Sequence, residues 1–460
     1  MKILFVSSEV VPFAKTGGLA DVAAALPKAI HKIGHDIRIF MPRYKMVDPK
    51  KWGLKPVAPG IQEARMPGTD IIVYFVENEH FAERDELYVL DGRDYPDNFE
   101  AFLAFCRAAI PFLKLINWRP DVIHCNDWQS GPLVYYVHER RKSDPFFART
   151  AMFYSIHNMA YQGKFPDEKF SSAGLPDGCF SKIGFEHADV ISSVSETYAK
   201  EIQTKEYGHG LEGVLQRRSK DVYGILNGVD YDLWNPATDQ SLFKRYSRMT
   251  LSLKINNKTA LQEKIGLPLK DKIPLLGITS RLDVQKGFDI LVEAIADILQ
   301  LDCQMVVLGT GDPKYHKLLE EIQKEHPDRI AIKLGFDAEL AQQIYAGSDM
   351  FLMPSKYEPC GLGQLISFKY GTIPIARKTG GLADTVHDFD PKSGKGNGFL
   401  FKEYSSSALL DAVKRAVQAY KDKSAWKKLQ EKVMEYDYSW DASAKKYIAL
   451  YAKALDKIIK

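Results

Sequence analysis

Short apolar runs closed by Gly, Asp or Ser alternate along most of the chain with segments whose apolar residues recur at helical spacing. Repeating βαβ units impose that rhythm, because a strand buried on both faces reads as a continuous apolar run while its crossover helix is apolar on one side only. In the first half the pattern predicts strands at residues 3–7, 37–41, 71–76, 122–125, 151–156, 190–194 and 223–226. A second series follows at 274–279, 304–308, 330–334, 350–353 and 372–376, with helical patterns such as 291–299 and 340–345 between them.

A chain of 460 residues exceeds what one hydrophobic core usually supports, so two domains are expected. The strongest turn cluster between the two series is Asn235-Pro236-Ala237-Thr238-Asp239. It places a first domain at 1–240 and a second, nucleotide-binding domain at 241–436. A last helical pattern, within 437–460, is expected to pack back on the first domain. The fold class expected is α/β, two Rossmann-like domains facing a central cleft.

One heptapeptide occurs twice. Lys15-Thr16-Gly17-Gly18-Leu19-Ala20-Asp21 returns unchanged as Lys378-Thr379-Gly380-Gly381-Leu382-Ala383-Asp384. Each copy follows a predicted strand, and a Gly-rich loop before a helix presents backbone N–H groups to an anion. The first copy therefore fits a diphosphate or sugar site. Two similar tight turns, with Lys15 merely solvated, is the plainer reading.

Other polar clusters also sit at strand ends, where ligands bind in open α/β sheets. Ser280-Arg281-Leu282-Asp283-Val284-Gln285-Lys286-Gly287 follows the strand at 274–279 and carries two cations suited to a departing diphosphate. Tyr357-Glu358-Pro359-Cys360-Gly361-Leu362-Gly363-Gln364 follows the strand at 350–353. There the N–H groups of Gly361, Leu362 and Gly363 suit a phosphate, and Glu358 suits sugar hydroxyls or positive charge at an anomeric carbon. His124-Cys125-Asn126-Asp127-Trp128 and Ile156-His157-Asn158 end two first-half strands. Asp127 beside Trp128 suits carbohydrate, with the ring on a sugar face; helix capping by Asp127 and a core His157 is the structural alternative. Asn227-Gly228 is either a turn or a third such strand end. Two triplets, Asp230-Tyr231-Asp232 and Asp388-Phe389-Asp390, are better explained as turns than as metal ligands.

Composition narrows the partners. Net charge is only +3, from 62 basic and 59 acidic residues, so neither nucleic acid nor a membrane surface is expected, and no apolar stretch is long enough to span a bilayer. The first six residues begin like a signal peptide, but Glu9 interrupts the run, and no transit peptide is seen. Five scattered cysteines without a CxxC pair fit a reducing compartment. Cytoplasm is expected, or plastid stroma if the source is a plant. Oligomeric state is not legible.

Taken together, these segments resemble the bacterial glycogen synthase and plant starch synthase family over essentially the whole chain. The match rests on both heptapeptides, Tyr95-Pro96-Asp97-Asn98, His124 to Trp128, Ile156-His157-Asn158 with Tyr161-Gln162-Gly163, Gly224 to Asp230, Ser280 to Gly287 and Glu358 to Leu362. The resemblance implies a GT-B transferase that moves glucose from ADP-glucose to the non-reducing end of an α-1,4-glucan such as glycogen, starch or a maltooligosaccharide. It implies retention of configuration and neither metal nor other cofactor.

The resemblance also implies roles. Glu358, Arg281, Lys286, His157 and Asp127 are the expected catalytic set, with Arg281 and Lys286 clamping the diphosphate and Glu358 near the transferred glucose. Lys15, Gly17, Gly18, Asp21, Tyr95, Asn227, Thr379 and the segment Cys360, Gly361, Leu362, Gly363 are the expected substrate contacts. Three departures stand out. Ala101 replaces the usual arginine after Asp-Asn, removing a surface or cleft charge; Gly363 replaces a commoner Thr, Asn or Ile; and residues 165–189 look shorter than usual. A UDP-glucose transferase or nucleotide-sugar epimerase on the same fold, or a non-catalytic glucan-binding protein, are the alternatives.

Overall fold

In the computed structural model, which describes residues 1–90 and 92–459, the apolar runs become two separate sheets. The first unit comprises Met1–Gly228 with the segment from Trp440 onward, and the second is Val229–Ser439. Strands of the first unit are β1 (Lys2–Val6), β2 (Asp36–Pro42), β3 (Lys55–Ala58), β4 (Ile61–Arg65), β5 (Ile72–Val76), the two-residue β6 (Val89–Leu90) and β7 (Arg93–Asp94), β8 (Val122–Asn126), β9 (Ala151–Ile156), β10 (Val190–Ser193) and β11 (Val222–Gly224). All but the β6/β7 hairpin join one sheet in the order β11-β10-β9-β8-β1-β2-β5-β4-β3. It is parallel except at β3 and β4, which run antiparallel at one edge. Those two strands escape the sequence pattern because most of their residues are only partly buried and they carry Lys55, Gln62, Glu63 and Arg65, the composition of a protected edge.

The second unit contains β12 (Leu275–Thr279), β13 (Gln304–Gly309), β14 (Ile330–Leu334), β15 (Met350–Met353), β16 (Ile373–Arg377) and β17 (Phe399–Phe401). They are parallel throughout, in the order β14-β13-β12-β15-β16-β17. Counted within the unit this is the doubly wound 3-2-1-4-5-6 arrangement. Leu276, Val306, Met350 and Ile375 form its dry centre, covered by helices such as Phe288–Gln300 and Ser406–Tyr420. In each sheet the winding reverses beside the first strand: between β1 and β8 in one unit, between β12 and β15 in the other. At such a reversal neighbouring loops diverge to opposite faces and leave a crevice at the carboxyl ends of the strands.

The boundary differs from the one expected at 240. The chain leaves the first unit after Gly228, and the turn at residues 235–239 lies wholly inside the second. Trp234 packs edge-on against Tyr345, and Asp239 accepts the Tyr370 hydroxyl at 2.5 Å, which anchors the turn to that core. The return crossing is at Ser439/Trp440 rather than 436/437. Outgoing and returning segments run side by side: Val229 N–H donates to the Tyr438 carbonyl at 2.7 Å. A Cβ on Gly228 would lie 2.5 Å from Trp440 Cα, so only glycine fits there.

The last helix, Trp440–Ile459, packs within the first unit against the helix Gly18–Lys32 and against β9. Tyr451 hydrogen-bonds His124 Nδ1 at 2.7 Å, and Ser443 donates to the Leu226 carbonyl at 2.7 Å. Lys460, the end of the expected segment, lies outside the described residues. Among the described residues no helix is long and apolar enough to cross a membrane.

Lys254 is buried on the helix Lys254–Ile265, where Nζ donates to the Ala346 carbonyl at 2.7 Å and Thr372 Oγ1 at 2.8 Å. Burial brings its pKa from the ordinary 10.5 down to about 7, with the positive charge of Lys258 acting in the same direction and Asp349 opposing. The folded protein therefore sheds this proton near pH 7 while the unfolded chain holds it to about 10.5. Between those values unfolding takes up a proton, so the contribution of Lys254 to stability grows as pH rises. Denaturant midpoints of wild type and Lys254→Met at pH 7, 8 and 9 should diverge, with the variant falling further behind at each step.

Candidate active site

In the second unit the chain leaves β12 through residues 280–287 and enters the helix Phe288–Gln300. Gly287 makes the turn at φ +79°, and a Cβ there would sit 2.0 Å from the Pro354 carbonyl oxygen in the loop after β15. Lys356 N–H donates to the Gln285 carbonyl at 2.9 Å, so backbone contacts stitch the two loops together. This brings the expected clamp lysine to the expected carboxylate. Lys286 Nζ donates to Glu358 Oε2 at 2.6 Å, and Ser355 Oγ donates to the same oxygen at 3.0 Å. Glu358 is 6% exposed, and a carboxylate that far from water requires such partners. Arg281, whose side chain is largely exposed, bonds Gln285 at 3.0 Å and Asp283 at 3.2 Å.

Behind Glu358 lies the second heptapeptide. A Cβ on Gly380, at φ +44°, would fall 1.9 Å from the Glu358 carbonyl oxygen, and one on Gly381 2.0 Å from that of Cys360. Gly381 N–H donates to the Glu358 carbonyl at 3.1 Å. The glycines and the buried Thr379 that precedes them let the backbone of residues 358–360 rest on the start of the helix Gly380–Thr385. Gly361 turns at φ +72°, Gln364 Nε2 reaches back to the Cys360 carbonyl at 3.0 Å, and Leu362 and Gly363 open the helix Gly363–Lys369. Cys360 itself is buried. A Cβ on Gly363 would stand 3.0 Å from the Phe351 ring and 3.2 Å from Met353, side chains that fill the space a larger residue would take.

In the first unit the strand ends at β8 and β9 form one polar cluster. Asp127 adopts φ 52°, ψ −177°, a conformation rare for a residue with a side chain. Its carboxylate does not cap the following turn Trp128–Ser130; it accepts the His157 N–H at 2.7 Å and bonds the Asn158 N–H as well. Burial pushes this carboxyl up to about 7 against those two N–H bonds, and the negative charge of Glu9 adds to the rise. His157 Nε2 lies 2.9 Å from Asn126 Oδ1, and burial brings its pKa down to about 4. The ring is therefore neutral at pH 7, and because an amide oxygen only accepts, Nε2 carries the proton and Nδ1 stays an acceptor.

In the first heptapeptide two of the N–H groups are already engaged: Glu9 Oε2 accepts Thr16 N–H at 2.5 Å and Gly17 N–H at 3.0 Å. Lys15 is not merely solvated; it forms a two-pronged pair with Asp21 at 2.8 and 2.9 Å. Nothing lies within 4 Å of a Cβ built on Gly18. Seven identical residues thus serve two ends: one copy grips a carboxylate side chain, the other supports a neighbouring backbone.

Tyr95 is held by the buried Arg84, whose guanidinium lies 4.4 Å from the ring centroid and also bonds Asp97 at 2.6 Å and Asn98 at 2.8 Å. Asn227 is buried at the end of β11, its Oδ1 without a partner among the described residues. Trp128 is not a sugar platform. It is 8% exposed and packs against Phe102, Phe165 and Phe180, with Gly163 pressed on its ring. Ala101 is fully buried, so its position is one of core packing and not of a missing surface or cleft charge. Asp230 accepts the Asp232 N–H, Asp388 pairs with Arg415, and Asp390 accepts the Lys392 N–H, which makes both acidic triplets local turn and pairing devices. Among the described residues no group of three or more His, Cys, Asp or Glu is arranged to hold a metal ion.

Residues 2–217 match the starch synthase catalytic domain model, and residues 257–433 match that of glycosyl transferases group 1. The chain is 48% identical to the glycogen synthase of Geotalea uraniireducens, with 99% of each covered, and 46% identical to that of Thermotoga maritima over the full length of both. The chain belongs to the glycogen synthase and starch synthase family. Its structure is similar to the catalytic domain of starch synthase IV from Arabidopsis thaliana bound to ADP and acarbose, with a TM-score of 0.87, 34% identity and 99% coverage of each chain. A sucrose-phosphate synthase from Thermosynechococcus elongatus, at 19% identity and TM-score 0.64, shares the fold. The two Rossmann-like units are thus those of a GT-B enzyme, and this family member is a glycosyltransferase acting on nucleotide-sugar and glucan substrates.

Three members of the two clusters are absent from the sequence-based set: Glu9, Asn126 and Ser355. Phe336 follows β14 and is 90% exposed at the carboxyl edge of the sheet. Glu9 and Ser355 are legible in principle, since each belongs to a polar run that closes an apolar strand, the same signal that marks Asp127. If Trp128 is core, Trp128→Ala should lower the unfolding free energy by about 3–5 kcal/mol in chemical denaturation. An exposed sugar platform would cost little.

Proposed function

We propose that this chain transfers glucose from ADP-glucose to the non-reducing end of an α-1,4-glucan with retention of configuration and without a metal ion. The observation that carries the reading is the Lys286–Glu358 pair at 2.6 Å, at the point where the winding of the second sheet reverses. A sugar diphosphate bound there meets cations at Arg281 and Lys286, which take up the negative charge that grows on the departing ADP. They supply the neutralisation a divalent ion would otherwise give. The backbone of Cys360 to Gly363 receives phosphate and sugar oxygens, and Phe336 offers the base a flat apolar face. Glu358, relieved of part of its bond to Lys286 by the diphosphate, faces the positive charge that develops at the anomeric carbon.

Asp127, neutral His157 and buried Asn227 bind glucose hydroxyls, and Tyr95 presents its ring to the glucan. Retention without a covalent enzyme intermediate places the attacking hydroxyl on the face of the departing phosphate, which then takes its proton. Five buried cysteines, none of them in a disulfide among the described residues, support a cytoplasmic setting for this chemistry.

A donor panel with glycogen as acceptor tests the reading directly. ADP-glucose should release ADP and lengthen chains, with equal rates in excess chelator. Isomerisation of the donor without acceptor, or glucan binding without turnover, would replace transferase by one of the other functions the fold supports, and preference for UDP-glucose would revise the base.

Because Glu358 is buried, Lys286→Ala removes a transition-state cation and strands a carboxylate at once. Its kcat/KM should fall roughly 30- to 1000-fold, equivalent to about 2–4 kcal/mol, together with its melting temperature. In Lys286→Ala/Glu358→Gln the melting temperature should recover while activity stays low.

A further inference from the structure

In the second unit a strap of side chains crosses the carboxyl ends of four strands and finishes on the loop that carries Arg281 and Lys286. Residues 402–404 leave β17 at the edge of the sheet. Arg377, the last residue of β16, donates Nε to the Lys402 carbonyl at 3.2 Å and Nη1 to the Lys356 carbonyl in the loop after β15. The Lys356 N–H in turn donates to the Gln285 carbonyl at 2.9 Å. Contacts thus run without a break from β17 past β16 and β15 to the loop after β12.

Tyr404 makes the same crossing with one side chain. It is half-buried, and its hydroxyl donates to Asp289 Oδ1 at 2.5 Å while lying 3.1 Å from the Val284 carbonyl oxygen. Two cations settle the ring, with Arg377 Cζ 5.3 Å and Lys356 Nζ 5.7 Å from its centroid. Burial and then the Asp289 carboxylate raise the hydroxyl above its ordinary pKa of 10.0, so it remains a donor at neutral pH.

What that hydroxyl joins gives it a role. Val284 stands before Lys286 and its carbonyl also accepts the Gly287 N–H at 3.1 Å, whereas Asp289 lies in the first turn of the helix Phe288–Gln300. One O–H therefore bridges both arms of the turn on which Lys286 sits. The loop has its own internal ties, with Asp283 accepting the Lys286 N–H at 2.9 Å and pairing with Arg281 at 3.2 Å, but these move with the loop and do not anchor it. We propose that Tyr404 is a positioning residue for the nucleotide-sugar: by bridging Val284 to Asp289 it fixes the turn that aims Lys286, and so governs use of the diphosphate from a place that touches neither substrate. The inference rests on the reading of Arg281 and Lys286 as the cations that meet the diphosphate.

The test compares wild type with Tyr404→Phe, Asp289→Ala, Asp289→Asn and the double variant Tyr404→Phe/Asp289→Ala. Initial rates are taken with ADP-glucose and glycogen varied independently, ADP binding is followed by titration calorimetry, and hydrogen exchange is read on peptides spanning residues 281–290. Tyr404→Phe should weaken ADP binding and lower kcat/KM for ADP-glucose roughly five- to tenfold, the scale of one hydrogen bond, with the glycogen KM unchanged. Its exchange over residues 281–290 should quicken, and its melting temperature should move by no more than about 3 °C. Asp289→Ala should weaken ADP binding alike, and the double variant should lose no more than either single one, because both remove the same bridge. Asp289→Asn keeps an acceptor oxygen and should retain most of the affinity. Wild-type ADP affinity or wild-type exchange in Tyr404→Phe, additive losses in the double variant, or a glycogen KM that rises in step with that for ADP-glucose overturns the proposal. Wild type that binds no ADP removes the diphosphate reading and the proposal with it; normal ADP binding by Tyr404→Phe removes the proposal alone.

Discussion

A carboxylate carried out of water must be met by donors or give up its charge. Each unit of this protein places one where its sheet winding reverses, and each meets the requirement differently. Glu358 is satisfied by a lysine and a serine from loops that backbone contacts bind together. Glu9 is satisfied by two main-chain N–H groups at a helix entrance. Much of the local architecture follows from those two solutions: the positive-φ glycine at 287, the glycines at 380 and 381 beneath Glu358, and the tethered loop around Lys15.

The neutral His157 and the raised Asp127 show the same constraint one shell further on. Burial shifts one toward losing its proton and the other toward keeping it, so the cluster carries less charge at pH 7 than its residue types suggest. Under the proposed reading, in which these groups meet uncharged sugar hydroxyls, the hydroxyls then compete with few tightly solvated ions. The cations Arg281 and Lys286 instead follow β12, where the proposed reading puts the diphosphate.

Much of the fold was legible in the sequence, because strands buried on both faces leave runs that little else produces. The strands that escaped it, β3, β4, β6, β7 and β17, are short or lie only partly buried at an edge, and there burial no longer dictates residue type. The boundary was misplaced because Asn235-Pro236 is a strong turn signal wherever it lies, whereas the actual crossing at Gly228 is marked by one glycine with a tryptophan against it. Of the site, Lys286 and Glu358 could be named but not paired. Glu9 was visible only as a residue that breaks an apolar run, and the heptapeptide repeat suggested one function where contacts reveal two. Trp128 shows the limit most plainly: beside Asp127 in sequence it resembles a ligand platform, yet it opens the turn Trp128–Ser130 just past the positive-φ Asp127 and its ring packs into the aromatic core.

The returning helix Trp440–Ile459 carries a consequence for biosynthesis. It covers β9 and supplies Tyr451 to His124, so the sheet of the first unit has an unfinished side until that helix is made. The inserted unit, Val229–Ser439, lies wholly before that helix in the chain and can close its own core beforehand. Order of completion is therefore inverted with respect to order of synthesis, and the apolar surface under that helix waits uncovered while the inserted unit is translated.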